Sequence, residues 1–265
     1  MMQENIKLID LIIELVDARI PIASRNPDID GLGKGKSRIV LLNKSDLADA
    51  ACNKQWVRYF EDRGVHVLEV NSKTGAGIKA IGALVQKACA EKLERDRKRG
   101  IVNRPVRAMV AGIPNVGKST FINAFAGKAC TKTGNKPGVT KGKQWIRLNK
   151  NLELLDTPGI LWPKFEDGRV GMHLAFIGSM NDEIIIMEEL ACDLLACLKE
   201  LYPDLVEKRY EIRWREKEAD TLGEIACSRG CLLKGENLNL NRAANILLDD
   251  FRSGRLGRIT LEHPE

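Results

Sequence analysis

The stretch VRAMVAGIPNVGKST, residues 106–120, joins an apolar strand pattern to a glycine-rich turn. Residues 112–119 fit the spacing G-x-x-x-x-G-K-[ST], a loop whose main-chain N–H groups point at phosphate oxygens. Residues 119–125 then predict a helix, whose N-terminal end adds partial positive charge. A strand, a phosphate loop and a helix in this order predict an α/β fold: a P-loop NTPase domain with a doubly wound, mainly parallel sheet.

Within this loop the side chains divide the work on a nucleotide. Lys118 is predicted to reach the outer phosphates as a catalytic cation, and the Ser119 hydroxyl is predicted to bind Mg²⁺. The full set of nucleotide-binding candidates here is Asn115, Val116, Gly117, Lys118, Ser119 and Thr120.

Two downstream segments complete a phosphate and metal site. The tetrapeptide DTPG, residues 156–159, follows the apolar run 152–155 and predicts Asp156 as a magnesium ligand. Gly159 is expected to offer its N–H to the terminal phosphate. In NKPGVTKGK, residues 135–143, Thr140 is the candidate for a second hydroxyl on Mg²⁺. The alternatives are an ordinary turn and an ordinary lysine-containing loop.

A guanine reader occurs in LLNKSDLADA, residues 41–50. Guanine presents an N1–H and an N2 amino group side by side, and the Asp46 carboxylate can accept from both. Adenine would leave that carboxylate unpaired. Asn43 is expected at the base edge and the Lys44 stem against the ring. Ser72 and Lys73 are expected to back the base with a main-chain N–H.

The order of these motifs is unusual, because the base reader precedes the phosphate loop. A binding site is a constellation in space, so joining the usual chain ends and opening the chain elsewhere preserves every contact. The sequence therefore predicts a circularly permuted GTPase that binds GTP or GDP. The joining segment would be the basic stretch 91–105, which fits either a solvated helix end and linker or a phosphate-contacting patch.

The remaining pattern divides the chain in two. Strands are predicted at 7–16, 38–42, 65–70 and 106–111, with a hairpin at 144–148 and 152–155, and helices at 49–63 and 78–93. From about residue 182 the pattern is helical, with one helix at 183–202 ended by Pro203 and more helix within 205–258. We expect a GTP-binding domain over 1–178 and a small all-helical domain over 179–265.

Composition narrows the class of protein. The 265 residues carry a net charge of +6, which permits a nucleic-acid partner. No apolar run approaches the roughly 20 residues of a membrane span. Seven cysteines without a C-x-x-C pair, and only three histidines, disfavour zinc and favour reduced thiols in the cytoplasm.

Taken in order, NKSD, NSK, GIPNVGKS, PGVT and DTPG, with ELVDARIPIASRNP at 14–27 and NRAANILLDDFRSGRLGRITLEHP at 241–264, resemble the YlqF/RbgA family of ribosome biogenesis GTPases. The resemblance spans essentially the whole chain. It implies a GTPase of low intrinsic rate that assists late maturation of the large ribosomal subunit, contacts ribosomal RNA and is stimulated by the particle.

The resemblance also bears on catalysis. Asn115 matches a residue that binds K⁺ in similar potassium-activated GTPases, so K⁺ is a candidate cofactor. Ile160 stands where Ras-like proteins carry a water-orienting glutamine, and an aliphatic side chain cannot position water. Members of the family usually begin with a short F-P-G-H-M segment, whereas this sequence enters its first strand within about six residues. Either the sequence is shortened or this member lacks the segment, so no catalytic base is assigned.

Partners are predicted less sharply than the nucleotide site. The helical part carries cations that fit RNA phosphate, but acids balance them, and a plain helical module is an equal alternative. These cations are Arg213, Arg215, Lys217, Arg229, Lys234, Arg242, Arg252, Arg255 and Arg258. We expect a monomer that acts on the large ribosomal subunit or its precursor. The alternatives are a GTP-regulated adaptor for a protein partner and an RNA-binding module with a vestigial nucleotide site.

Overall fold

A six-stranded sheet organises the first part of the chain. The computed structural model describes residues 6–101, 104–127, 144–156, 167–233 and 237–264. The strands are β1 (Leu11–Asp17), β2 (Ser37–Asn43), β3 (His66–Glu69), β4 (Val106–Ala111), β5 (Gln144–Asn149) and β6 (Leu152–Asp156). Their order is β3-β2-β1-β4-β6-β5, and every neighbouring pair is parallel except β5 and β6, which form the predicted hairpin. The predicted mainly parallel α/β sheet is confirmed.

Helices cover this sheet, as parallel strands require. They are α1 (Asp28–Leu32), α2 (Ala50–Asp62), α3 (Ile81–Ala88), α4 (Ala90–Lys98) and α5 (Lys118–Ala126). Helix α2 begins where the Asp49 carboxylate accepts from the N–H groups of Ala51 and Cys52. Its apolar side packs Trp56 and Phe60 into a core with residues of β1 and β2.

The first strand is shorter than predicted. The pattern 7–16 begins with Lys7 and Leu8, yet β1 starts at Leu11. Just before β1, the Asp10 side chain contacts the neighbouring strand β4, because its Oδ2 accepts from Arg107 N at 3.0 Å. This bond adds to main-chain pairing at the same position, because Asp10 N donates to Arg107 O at 2.7 Å. The chain before Asp10 turns instead, with Ile9 N donating to Ile6 O at 3.4 Å, so Lys7 and Leu8 lie outside the strand.

The helix predicted at 78–93 is also divided. A 3₁₀ turn at Ile78–Ala80 precedes α3, and the chain breaks at Cys89 before α4. Cys89 has φ −102° and ψ 11°, and its thiol side is buried. Neither proline nor glycine marks the break, so the sequence pattern could not reveal it.

The second part of the chain is helical. Its elements are α6 (Gly168–Phe176), α7 (Met187–Leu201), α8 (Pro203–Tyr210), α9 (Glu218–Ser228) and α10 (Leu240–Ser253), with a 3₁₀ turn at Asp182–Ile184. Helix α7 begins four residues later than the predicted 183, because Ile185 is extended at φ −113° and ψ 136°. Helix α6 has no counterpart in the predicted pattern.

The chain divides into two compact units, Met1–Lys164 with Glu262–Glu265, and Phe165–Leu261. The division therefore falls earlier than the predicted residue 178, because α6 packs with the helices of the second unit. No helix in the described ranges is long and apolar enough to cross a membrane.

Within the second unit, Arg252 ties α10 to the end of α6. Its guanidinium donates to the carbonyls of Ala175 and Phe176 at 2.8 and 2.9 Å and pairs with Asp182 at 2.7 Å. Carbonyls in the last turn of a helix lack intrahelical donors. Arg252 supplies a donor to Phe176 O, and it adds a second donor to Ala175 O, which already accepts from Gly178 N at 3.0 Å.

Candidate functional site

The predicted motifs all follow the carboxyl ends of parallel strands. The base reader follows β2, Ser72 and Lys73 follow β3, the phosphate loop follows β4, and DTPG begins at the last residue of β6. Parallel strands place these ends at one edge of the sheet, where ligands bind in open α/β folds. The register pairs Val110 with Asp156, so the start of the phosphate loop and the end of β6 are neighbours.

The phosphate loop has the conformation that its glycines predict. Gly117 lies at φ 99° and begins helix α5, and Asn115 is left-handed at φ 58°. A Cβ at position 117 would lie 2.6 Å from Asn43 Nδ2, so only glycine fits there. Lys118 is 7% exposed, while Ser119 and Thr120 are half-buried in the first turn of α5. The loop therefore presents a helix N-terminus with a largely buried lysine.

Asn43 links three of the predicted segments through its side-chain amide. Its Nδ2 donates to the carbonyl of Val116 at 2.7 Å. Its Oδ1 accepts from Ser72 N at 3.0 Å and from Ser72 Oγ at 2.8 Å. The side chain is 2% exposed, so these bonds are made away from water. The structure thus holds the end of β2 against both the phosphate loop and the Ser72 loop.

One donor of this amide has no partner among the described residues. Nδ2 carries two hydrogens, and Val116 accepts one of them. The other fits an acceptor on the edge of a purine base. The main-chain N–H groups of Ser72 and Lys73, by contrast, donate to Asn43 and to Asn71 Oδ1. The expectation that one of them backs the base stays a prediction.

Lys44 reaches across to the phosphate loop. Its Nζ donates to the carbonyl of Asn115 at 3.0 Å and pairs with Asp17 Oδ2 at 3.0 Å. Burial of the ammonium lowers the pKa of Lys44, and nearby Arg19 lowers it further, whereas Asp17 opposes both effects. The stem is consequently fixed at its far end, as a wall for a ring requires.

Asp46 and Lys73 lie exposed on the loops that follow β2 and β3. Ser45 fastens the first of these loops, because its N–H and hydroxyl both donate to Val70 O. Asn71 shapes the second by accepting from the N–H groups of Lys73 and Thr74. Each loop is thus ordered by its own polar contacts, while the Asp46 carboxylate faces solvent.

Only part of the predicted metal site can be placed. Thr140 and Gly159 lie outside the described residues, as does the side chain of Asp156. Ser119 and the backbone of Asp156 lie at the same sheet edge. Among the residues described, no cluster of three or more His, Cys, Asp or Glu could hold a metal ion. A hydroxyl and a carboxylate that share an ion with phosphate oxygens fit Mg²⁺, a hard cation.

The three histidines lie on separate elements, and none of them is assigned the role of a base. His66 begins β3 at its amino end, and His173 lies on α6 in the second unit. His263 lies beside helix α2, with Nδ1 3.5 Å from Cys52 Sγ.

Two residues outside the nucleotide-binding motifs belong to this region. Asp17 and Arg19 are 0% and 1% exposed, and Asp17 contacts Lys44. The signal was present, since ELVDARIP places an acid at the end of a mostly apolar strand and a base two residues later. Without the fold, nothing identified their partner.

Comparison with known proteins supplies independent information. The family described as 50S ribosome-binding GTPase matches residues 107–218. Ribosome biogenesis GTPase A of Bacillus licheniformis is 45% identical over 99% of this chain and 93% of its own length. The protein of the same name in Thermotoga maritima is 30% identical over 99% and 89%.

Solved structures agree with these relatives. The GDP-bound structure of TM YlqF superimposes with a TM-score of 0.71 at 26% identity, covering 99% of this chain and 98% of the other. The GNP-bound YlqF from T. maritima gives 0.69 at 27% identity, with 100% and 97% covered.

Proposed function

Because the chain belongs to the ribosome biogenesis GTPase A family, we propose that this GTPase is an assembly factor that binds the large ribosomal subunit or its precursor. In this proposal it assists late maturation, and its GTP state controls association. The observation that carries the nucleotide part is the Asn43 amide, which joins the base-reading segment to the phosphate loop although 73 positions separate Asn43 from Val116.

On this proposal one guanine nucleotide spans the sheet edge. Asp46 accepts from the base, Asn43 donates to its edge, and Lys44 lies against the ring. Lys118 and the N–H groups of residues 115–120 hold the phosphates. Ser72 and Lys73 support the base from the neighbouring loop, and Gly159 contacts the terminal phosphate.

Mg²⁺ is proposed at the hydroxyls of Ser119 and Thr140 with the carboxylate of Asp156. When bound, the ion would neutralise charge on the transferring phosphoryl group. Asn115 is the proposed contact for K⁺, whose charge could replace that of an arginine finger. Equal hydrolysis rates in K⁺ and in Na⁺ would remove the potassium proposal.

The second unit is the proposed contact with ribosomal RNA. Several cations there are engaged internally: Arg252 with Asp182, Arg215 with Glu224, and Arg255 with Asp250. Five others of the predicted cations are exposed and have no ion-pair partner in the described ranges. These are Arg213, Lys217, Arg229, Arg242 and Arg258, of which Arg229 donates to the carbonyl of Arg209. Exposed cations without acidic partners are the ones that can neutralise phosphate.

Sedimentation with ribosomal particles tests the proposal. A cytoplasmic, monomeric factor of this kind should cosediment with the large subunit or its precursor in a non-hydrolysable GTP analogue and less in GDP. Binding should weaken steeply with added salt, as contacts to phosphate do. Binding that depends neither on the bound nucleotide nor on the salt concentration would contradict the proposal and favour a protein partner.

A matched pair of variants tests the RNA contact. We expect Arg242→Glu combined with Arg258→Glu to release the particle while GTP hydrolysis without particles stays unchanged. Lys54→Glu combined with Lys79→Glu, on exposed positions of the first unit, makes the same change in net charge and should retain binding. Equal loss in both pairs would reduce the effect to net charge.

A further inference from the structure

The motif DARIP, residues 17–21, remains unexplained by the proposed nucleotide contacts. Asp17 is the last residue of β1 and pairs in register with Asn43, the last residue of β2. The next residue after Asn43 is Lys44. The acid is therefore built into the sheet beside the base-reading segment.

Asp17 is fully buried and fully engaged. Its Oδ1 accepts from Arg19 N and Nε at 3.1 and 2.9 Å. Its Oδ2 accepts from Arg19 Nη2 at 2.8 Å and pairs with Lys44 Nζ at 3.0 Å. One buried carboxylate thus serves two cations, and the group carries a net charge of +1.

The backbone around this carboxylate is also fixed. Asp17 N donates to Ser24 Oγ at 3.0 Å, and Ala18 N donates to Asn43 O at 2.9 Å. Arg19, whose guanidinium donates to both carboxylate oxygens, is itself 1% exposed. The carboxylate consequently has a single orientation, with Oδ2 toward Lys44.

Lys44 is the only member of the trio with solvent access, at 25% side-chain exposure. It has a left-handed backbone, φ 56°, and its ammonium is held between Asp17 and the Asn115 carbonyl. Two of its three hydrogens are therefore directed by the protein. Loss of Asp17 would leave the partly buried Lys44 ammonium with one neutral acceptor, and the repulsion from Arg19 would no longer be compensated.

Burial alone would raise the pKa of Asp17, but Arg19 and Lys44 outweigh it and hold that pKa far below its usual range. The carboxylate is therefore charged at every pH at which the protein works. In turn it opposes the lowering of the pKa of Lys44 by burial and by Arg19.

We propose that Asp17 and Arg19 are positioning residues for nucleotide binding, which act by holding the Lys44 side chain in place against the guanine ring. This inference rests on the proposed nucleotide site. An Asp–Arg pair that served stability alone would need no third partner, and buried ion pairs contribute little net stability compared with apolar replacements. The contact that makes the pair specific is the one to Lys44.

A double-mutant cycle on GDP affinity tests this. Asp17→Asn should weaken binding of a fluorescent GDP analogue roughly tenfold, the effect of losing one charge-assisted hydrogen bond. In the Lys44→Met background the same change should alter affinity less than twofold. KM for GTP should rise while kcat at saturation stays within about twofold, because the phosphate loop is untouched. Equal losses in both backgrounds would overturn the proposal and leave Asp17 a structural role.

A second variant covers the case in which Asp17→Asn fails to fold around unpaired Arg19. Asp17→Asn combined with Arg19→Met removes both charges at similar volume and enters the same cycle, with the same expected coupling to Lys44. GDP titrations of wild type and of Lys118→Ala distinguish failure of the proposed nucleotide site from failure of the positioning role alone. If wild type does not bind GDP, or Lys118→Ala binds equally well, the proposed site fails; if both behave as expected and the cycle is additive, only the positioning role fails.

Discussion

Replacing Asn43 by alanine removes the link between the base reader and the phosphate loop. The buried amide makes three hydrogen bonds, to Val116 O and to the N–H and hydroxyl of Ser72. Alanine leaves two buried main-chain groups without partners, while the Ser72 hydroxyl can rotate to another acceptor. Each such group costs about 1–3 kcal/mol, and water entering the pocket offsets part of this. We expect a loss of about 2–4 kcal/mol in the free energy of unfolding of the first unit.

Asn53→Ala is a matched control on a second buried asparagine. Asn53 Nδ2 donates to Ser45 O and to Glu69 Oε2, both at 3.1 Å, whereas its buried Oδ1 has no hydrogen-bond partner among the residues that the structure describes. Removing it deletes bonds but also relieves an unpaired acceptor, so its cost should be smaller, about 1 kcal/mol.

The assay combines urea unfolding of the nucleotide-free protein, followed by circular dichroism, with hydrogen exchange. Two units need not unfold together, so exchange assigns the loss to the first unit. Peptides covering 112–118 should exchange faster in Asn43→Ala and unchanged in Asn53→Ala. A loss in unfolding free energy no larger than that of Asn53→Ala, with unaltered hydrogen exchange over 112–118, would refute this role of Asn43.

Three further predictions concern base choice, the C-terminal residues and acid stability. Asp46→Asn should weaken GDP binding at least tenfold and favour xanthosine diphosphate, because an amide donor matches the added carbonyl of xanthine. Competition titration measures this preference, and an unchanged preference for GDP would show that Asp46 does not contact the base. Glu262→Gln should destabilise the first unit by about 1 kcal/mol, because the carboxylate accepts from Ile22 N at 2.7 Å and Ala23 N at 3.1 Å. Amide hydrogen exchange of residues 20–24 should become faster, and unaltered exchange there would contradict this prediction. Burial of Asp250 opposes its ionisation, yet bonds from Arg209, Arg255 and Tyr210 hold the pKa of its carboxyl below its usual range. The stability that this gives is present above the ordinary carboxyl pKa and is lost as pH falls through the lowered pKa. Asp250→Asn should therefore flatten the acid unfolding curve of the second unit, and an unchanged curve at low pH would contradict this.

The sheet was predictable because its signals are local. Apolar runs such as Val106–Ala111 end at glycine-rich or polar motifs, and a parallel sheet needs no further information to bring those ends together. The guanine and phosphate motifs were recognisable for the same reason, since each is a short segment with a chemical requirement. Their rotated order changes the connections and leaves the strand positions intact.

Features that depend on partners distant in sequence were not predictable. Asp10, just before β1, bonds Arg107, 97 positions away, through both its main chain and its carboxylate. Helix α6 is masked in the sequence by Gly168 and Gly171, although Asp167 caps it by accepting from Arg169 N. The sequence alone assigned no role to Asp17, because its contact with Lys44 is visible only in the folded structure. Asp10 and Asp17 act through partners distant in sequence, whereas the capping contact of α6 is local and its signal is outweighed by the two glycines.

The central claim is that one guanine nucleotide bridges two segments whose order in the chain is exchanged. A crystal structure of the protein with GDP and Mg²⁺ measures this directly. We expect the Asp46 carboxylate within hydrogen-bond distance of the base and the Lys118 ammonium on a phosphate of the same molecule. Nucleotide density that engages Lys118 while Asp46 opens onto a separate cavity would contradict it.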